Sequence, residues 1–348
     1  MNLRGPILVG ASALMLLLSA CGDGADPSSN TDSDHRNGDV SRPGSNDDTS
    51  TPACLIKPYC VINRHTKPVT GVAFSSDGKY LVSASEDGTI RKWDADSGAL
   101  LHSNDSYDGF VGAMAASKDL SFLAFVGESL EIHILEYGPD IDKMRTLPGH
   151  ESGTTSLALS PDDQMLASSC FDNTVKLWRV SSGEEIRTID AHSGRVTCIT
   201  FSPNGELLAT GGSDGDVKVW EVATGALQRT FHEGSMVWRV AFGKDGKTLA
   251  ATSTDSPISL WDVATGDRRV SIEDEQTLST VVAMSPVSQT LAASDIKNIA
   301  IWNSSNGKRI CTLVGHEAWV FALAFSPDGK VLASGSADNT IRLWKVPD

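Results

Sequence analysis

The chain has 348 residues, a formal net charge of −15 at pH 7, and 40% apolar residues. So acidic a balance excludes nucleic acid and anionic lipid as principal partners, since Lys and Arg supply the affinity for both. The sequence also lacks a His-x-x-x-His or paired Cys-x-x-Cys zinc spacing, a glycine-rich phosphate loop and a twelve-residue calcium loop, so no metal or cofactor is expected.

In chain order, residues 1–21 read MNLRGPILVGASALMLLLSAC. One basic residue, Arg4, precedes an apolar run from Ile7 to Leu18, which is too short to cross a ~30 Å hydrocarbon core and reads as a secretory signal. Leu18-Ser19-Ala20-Cys21 resembles a bacterial lipobox, which implies that residues 1–20 are a signal peptide and that Cys21 becomes an acylated N-terminus. Several acyl chains anchor a protein stably where one does not. Residues 21–52 are Asp, Ser, Asn, Gly, Thr and Pro with almost nothing apolar, so they read as a disordered tether with an r.m.s. span of about 30 Å. The globular part is expected over 53–348.

That part is repetitive. The set His65, Ser83, Asp87, Trp93 recurs at the same offsets as His150, Ser168, Asp172, Trp178, as His192, Thr210, Asp214, Trp220, and as His316, Ser334, Asp338, Trp344. Taken alone, His316, Ser334 and Asp338 could pass for a hydrolytic triad. One substrate needs one nucleophile, however, and four copies at fixed spacing mark a structural unit. Weaker units end at Trp261, with Ala251 where Ser or Thr stands elsewhere and His232 one residue too far upstream, and at Trp302, with no histidine and a shortened turn at Asp295. Between Trp93 and Trp178, Leu135 stands where tryptophan belongs, which makes seven units.

Each unit reads as four short strands. In VFALAFSPDGKVLASGS two apolar runs flank a Pro-Asp-Gly turn; Asp-Asn-Thr or Asp-Gly-Thr then opens a third strand, and a Gly turn leads to a fourth. The last unit stops after its third strand, while PYCVINRH at 58–65 aligns with RICTLVGH at 309–316. Residues 59–63 are therefore expected to supply the missing outer strand and close the ring.

With Gly149-His150, Gly315-His316, Trp93-Asp94, Trp261-Asp262 and a period of roughly forty residues, residues 58–348 resemble the WD-repeat family. The resemblance implies an all-β, seven-bladed propeller of four-stranded antiparallel blades. It also implies a buried hydrogen-bond relay from each His, Ser/Thr, Asp and Trp set, and use as a monomeric, non-catalytic platform for proteins or peptides. On the narrow face, Phe110, Phe171, Arg195, Met236, Leu278 and Trp319 are the expected partner-binding residues, an apolar patch with Trp and Arg anchors. Together with the lipobox this gives an extracytoplasmic protein on a bacterial cell membrane or outer membrane, its partners other proteins of the cell envelope. An extracytoplasmic enzyme or glycan binder using the channel mouth is the alternative, because fold alone does not separate them. Glu273-Asp274-Glu275 reads as a solvated turn. Cys170, Cys198 and Cys311 fall on strands as core thiols, and a Cys54–Cys60 disulfide requires Pro58 to reverse the chain.

Overall fold

The computed structural model describes residues 54–128, 130–137, 142–273 and 279–347. The expected signal peptide, Cys21 and tether lie outside them, as do Leu278 and most of the acidic turn. Every regular element among the described residues is a β-strand. They form seven sheets arranged as the blades of a propeller.

Blade 1 shows the pattern. Strands Val69–Phe74, Tyr80–Ser85, Ile90–Asp94 and Leu100–Asn104 follow one another from the channel outward, each antiparallel to the last. Burial falls along the same path: Tyr80–Ser85 is buried almost throughout, whereas Leu100 to His102 of the outer strand are exposed. The core is accordingly divided. Seven apolar clusters each join two neighbouring blades, as where Leu177 and Val196 of blades 3 and 4 meet, or Ile258 and Leu291 of blades 5 and 6. No blade buries its own faces, which is why the ring must close.

Closure occurs at blade 7, where Cys60–Ile62 pairs antiparallel with Ile341–Lys345 in the register Cys60↔Leu343, Val61↔Arg342, Ile62↔Ile341. Tyr59 N–H extends the ladder to Leu343 O at 3.0 Å. Ile62 then packs with Val69, Leu81 and Trp93 of blade 1 and Ile341 and Leu343 of blade 7.

One strand is not anticipated by the repeat. Leu55–Ile56 lies parallel to Arg309–Leu313, giving blade 6 a fifth strand at its outer edge. The chain thus crosses from the edge of blade 6 to the edge of blade 7 through Pro58. Cys54 and Cys60, whose pairing the sequence leaves open, are therefore held on different blades. Cys60 packs within the cluster between blades 7 and 1, whereas Cys54 lies on blade 6, its carbonyl accepting Thr312 N–H at 2.8 Å. All five described cysteines carry free thiols; Cys170, Cys198 and Cys311 are buried on strands.

Candidate functional site

The four complete sets are joined in space. In blade 1, Trp93 Nε1–H donates to Ser83 Oγ at 2.9 Å, Ser83 Oγ meets His65 Nε2 at 2.8 Å, and His65 Nδ1 meets Asp87 Oδ2 at 3.0 Å. Blade 3 repeats this through Trp178, Ser168, His150 and Asp172 at 2.8, 2.7 and 3.2 Å. Blade 4 does so through Trp220, Thr210, His192 and Asp214 at 3.0, 2.8 and 2.9 Å. In blade 7 the chain is Trp344, Ser334, His316, Asp338 at 2.9, 2.7 and 2.7 Å. The indole can only donate, so the hydroxyl proton turns to His Nε2 and the imidazole donates from Nδ1 to the aspartate.

The aspartates tie two loops together. Asp87, Asp214 and Asp338 accept the N–H of the residue after their histidine at 2.9, 2.9 and 3.0 Å. The next residue in each turn has positive φ: Gly88, Asn173, Gly215 and Asn339, which is why only Gly or Asn follows the aspartate. Burial alone would raise these carboxyls, but the imidazole, backbone N–H groups and, in blades 1, 3 and 7, the turn threonine outweigh it. Asp87, Asp172, Asp214 and Asp338 all lie below the ordinary aspartate value. Burial also holds His150, His192 and His316 below the ordinary histidine value, against the pull of their aspartates. A neutral imidazole fits the donor order above.

This geometry is not a nucleophilic site. The Ser334 hydroxyl is fully buried and already accepts the Trp344 indole, so it offers nothing to a substrate. Nor does the grouping of His150, Cys170 and Asp172, whose polar atoms lie within 4.8 Å of one another, depart from relay geometry. Cys170 Sγ accepts Asp172 N–H at 3.4 Å, as Ser85 and Ser336 Oγ accept the matching N–H at 3.1 Å in blades 1 and 7.

Two departures were not legible from the motif. In blade 5 the histidine position holds Glu233, adjacent to the His232 that the sequence draws attention to. The Glu233 carboxylate accepts Trp261 Nε1–H at 2.6 Å and Ser259 Oγ–H at 2.8 Å, doing the work of the hydroxyl that Ala251 lacks. Burial raises its pKa, with those bonds and Arg268 pulling the other way. His232 is exposed and pairs with Asp216 at 2.7 Å. In blade 2, Tyr107, Phe125 and His133 pack ring against ring, with centroids 4.9 to 5.1 Å apart, and Leu135 replaces the indole. Register puts Phe125 at the Ser83 position.

On the loop face, the residue that opens each inner strand lies beside the residue just before each turn aspartate. Ser213 N–H donates to Arg195 O at 2.8 Å, Phe171 to Gly153 O at 3.1 Å, Thr254 to Met236 O at 3.0 Å and Ala337 to Trp319 O at 2.8 Å. Arg195 is exposed, and its guanidinium lies 5.0 Å from the Phe171 ring centre. Phe171, Met236 and Trp319 are half-buried, and Phe110 packs against the core between blades 2 and 3. The face is therefore less apolar than the sequence suggests. The large exposed apolar residues mostly lie elsewhere, on outer strands at Val61, Leu100, Leu101, Met144, Ile186 and Leu227. Val287 lies in the turn after Val282–Met284, and Ile296, 38% exposed, lies on the loop face; its carbonyl accepts Val320 N–H at 2.8 Å beside Trp319.

A closed ring of seven blades with Trp-Ser/Thr-His-Asp relays in four of them defines a repeat propeller of the tryptophan-aspartate type. The family described as "WD domain, G-beta repeat" matches residues 56–94, 141–179, 183–221, 225–262 and 307–345, together more than half of the chain. The chain belongs to that family. Among individual relatives, it is 29% identical over 147 residues to Protein HIR1 of Eremothecium gossypii, covering 38% of this chain and 18% of that protein. It is 36% identical over 125 residues to Periodic tryptophan protein 2 of Arabidopsis thaliana, covering 35% of this chain and 14% of that protein. With Nuclear distribution protein nudF of Aspergillus niger it shares 33% over 128 residues, 34% of this chain and 28% of the relative. The chain thus matches less than a third of the length of each.

Proposed function

We propose that this protein is a non-catalytic platform for proteins or peptides of a bacterial cell envelope, held there by a lipid on Cys21. The observation that carries the platform reading is the loop face. In four blades its side chains project from loops pinned by the relay, so Arg195 stacked on Phe171 and Trp319 beside Ile296 are held in place before a partner arrives. Preorganised aromatic and guanidinium groups suit an extended peptide carrying acidic and apolar side chains. The relatives named above come from fungi and a plant, so the envelope anchor rests on residues 1–21 alone.

The two parts are tested separately. For docking, Arg195→Ala is expected to weaken capture of envelope proteins about tenfold, near 1.4 kcal/mol, with an unchanged melting temperature. Unchanged capture from this variant and from Met236→Ala would sink the platform reading at this face. For the anchor, mass spectrometry is expected to find residues 1–20 absent and Cys21 acylated, and Cys21→Ser should leave the membrane fraction. An intact N-terminus would refute it.

A further inference from the structure

We propose that Cys54 and Cys311, free thiols in this structure, form a disulfide on oxidation that clamps the N-terminal segment to blade 6. The parallel ladder pairs Leu55 with Thr312 and Ile56 with Leu313, and Cys54 O accepts Thr312 N–H at 2.8 Å. One step back along that register, Cys54 stands opposite Cys311. Directly opposed residues in neighbouring strands have Cα atoms about 4.8 Å apart, inside the 4.4–6.8 Å range of disulfides.

The faces agree as well. Side chains alternate along a strand, so Cys54 shares a face with Ile56, and Cys311 with Leu313. Ile56, Cys311 and Leu313 all belong to the cluster between blades 6 and 7, so both thiols turn to the same side. Burial pushes the Cys311 thiol up to about 11, and the Cys54 thiol at its side adds to the rise. Cys311 is 2% exposed whereas Cys54 is exposed, which sets the order of reaction. The Cys54 thiolate attacks a sulfur of a disulfide oxidant, such as an oxidised dithiol oxidoreductase or oxidised glutathione, and releases one thiolate. Cys311 Sγ, on losing its proton, then attacks Cys54 Sγ in the mixed disulfide and displaces the second thiolate. Two cysteine thiols lose two protons and two electrons, and the oxidant becomes two thiols.

Position gives the bond its purpose. Cys54 lies between the expected tether and the closing strand Cys60–Ile62. A pull on the tether would peel Leu55–Ile56 from blade 6 and then Cys60–Ile62 from blade 7, opening the ring. A covalent link at Cys54 ends that path on blade 6. This role rests on the proposed envelope anchor, whereas the bond itself rests only on the strand register.

The test uses the purified full-length chain in oxidised glutathione, digested without reduction. A linked peptide pair joining Cys54 to Cys311 is expected in the wild type and in Cys60→Ser, and neither from Cys54→Ser nor from Cys311→Ser. Adding reductant should lower the melting temperature of the wild type by several degrees and leave Cys54→Ser unmoved. A Cys54–Cys60 link, or unlinked Cys54 and Cys311 after full oxidation, would overturn the proposal. The same digest on protein taken directly from cells tests the compartment: linked in glutathione but reduced in cells, the pair stands and the envelope reading fails.

Discussion

Blades 1, 3, 4 and 7 differ from blades 2, 5 and 6 in how they treat one buried donor. Trp93, Trp178, Trp220 and Trp344 each give their indole N–H to a hydroxyl, which is then held by a histidine and an aspartate. Blade 5 keeps the indole, loses the hydroxyl at Ala251 and brings in the Glu233 carboxylate. Blade 2 gives up the indole and fills the space with three aromatic rings. In blade 6, Trp302 Nε1 has no partner among the described residues. In the other six blades the tryptophan N–H is thus either matched or removed, and the His-Ser-Asp relay is one of several ways of doing so.

Blade 5 depends most on Glu233. Its replacement by alanine would strand Trp261 Nε1–H and Ser259 Oγ–H and leave a cavity, so Glu233→Ala should destabilise the protein by about 3 kcal/mol in denaturant unfolding. Glu233→Gln keeps an acceptor and should lose less than half as much. Equal losses would mean that acceptance of the indole proton is not what Glu233 provides. Next in size is Ser334→Ala in blade 7, which leaves Trp344 Nε1 and His316 Nε2 unmatched at about 2 kcal/mol. Pairing it with Trp344→Leu should recover part of that loss in a double-mutant cycle; strict additivity would show that the two do not share a bond.

What the sequence disclosed follows from period. Alternating apolar runs cut by Asp-Gly and Asn-Gly-like turns place nearly every strand, and the His-Ser-Asp-Trp offsets place four relays, because a repeated backbone repeats its polar needs. Glu233 escaped notice because a search for histidine at that offset finds the neighbouring His232, and an acidic residue in a loop reads as solvent-facing. Phe125 escaped it because an aromatic on a strand reads as ordinary core, and Tyr107 because it lies in a loop between strands. Leu55–Ile56 is two residues long, too short for alternation to show, and its partner is set by the closure of the whole ring. Side-chain exposure on the loop face depends on neighbours that the repeat pattern does not specify, which is why Phe110 packs against the core between blades 2 and 3 while Arg195 is exposed.

Acid sharpens the contrast further. The relay aspartates have folded pKa values below the unfolded one, so the stability they contribute is present above about pH 4 and lost as pH falls below it. His150, His192 and His316 act in the same direction at higher pH: favoured neutral in the fold, they withdraw stability as pH falls below about 6.5. Glu233 runs the other way. Its folded pKa is raised, so its contribution declines as pH rises above the ordinary glutamate value. Relative to wild type, Glu233→Gln should therefore gain stability as pH is raised from 4 to 7; a constant difference across that range would show that Glu233 does not titrate differently in the folded state. Exchanging one answer for another should be milder still. Glu233→His with Ala251→Ser rebuilds the blade 1 set around Asp255 and Trp261, and its unfolding free energy should lie within about 1 kcal/mol of wild type.

The smallest effect on stability is expected at Trp319, where a relay blade meets blade 6. What holds the loop there is backbone: Ala337 N–H donates to Trp319 O at 2.8 Å, and Val320 N–H to Ile296 O at 2.8 Å. Neither bond uses the indole. The indole is also absent from the apolar clusters between blades 6 and 7 and between blades 7 and 1, whose members include its neighbour Val320. Trp319→Ala keeps the strand, the relay and both loop bonds, so the melting temperature should stay within a few degrees of wild type. What it removes is a half-exposed aromatic surface beside Ile296, on the face where Arg195 and Phe171 are stacked. Aromatic groups so placed contribute heavily to interfaces, and capture of envelope partners should fall about tenfold. A large drop in melting temperature with capture unchanged would reassign Trp319 to the core, and the contrast between pinned loops and their exposed side chains would lose its best test.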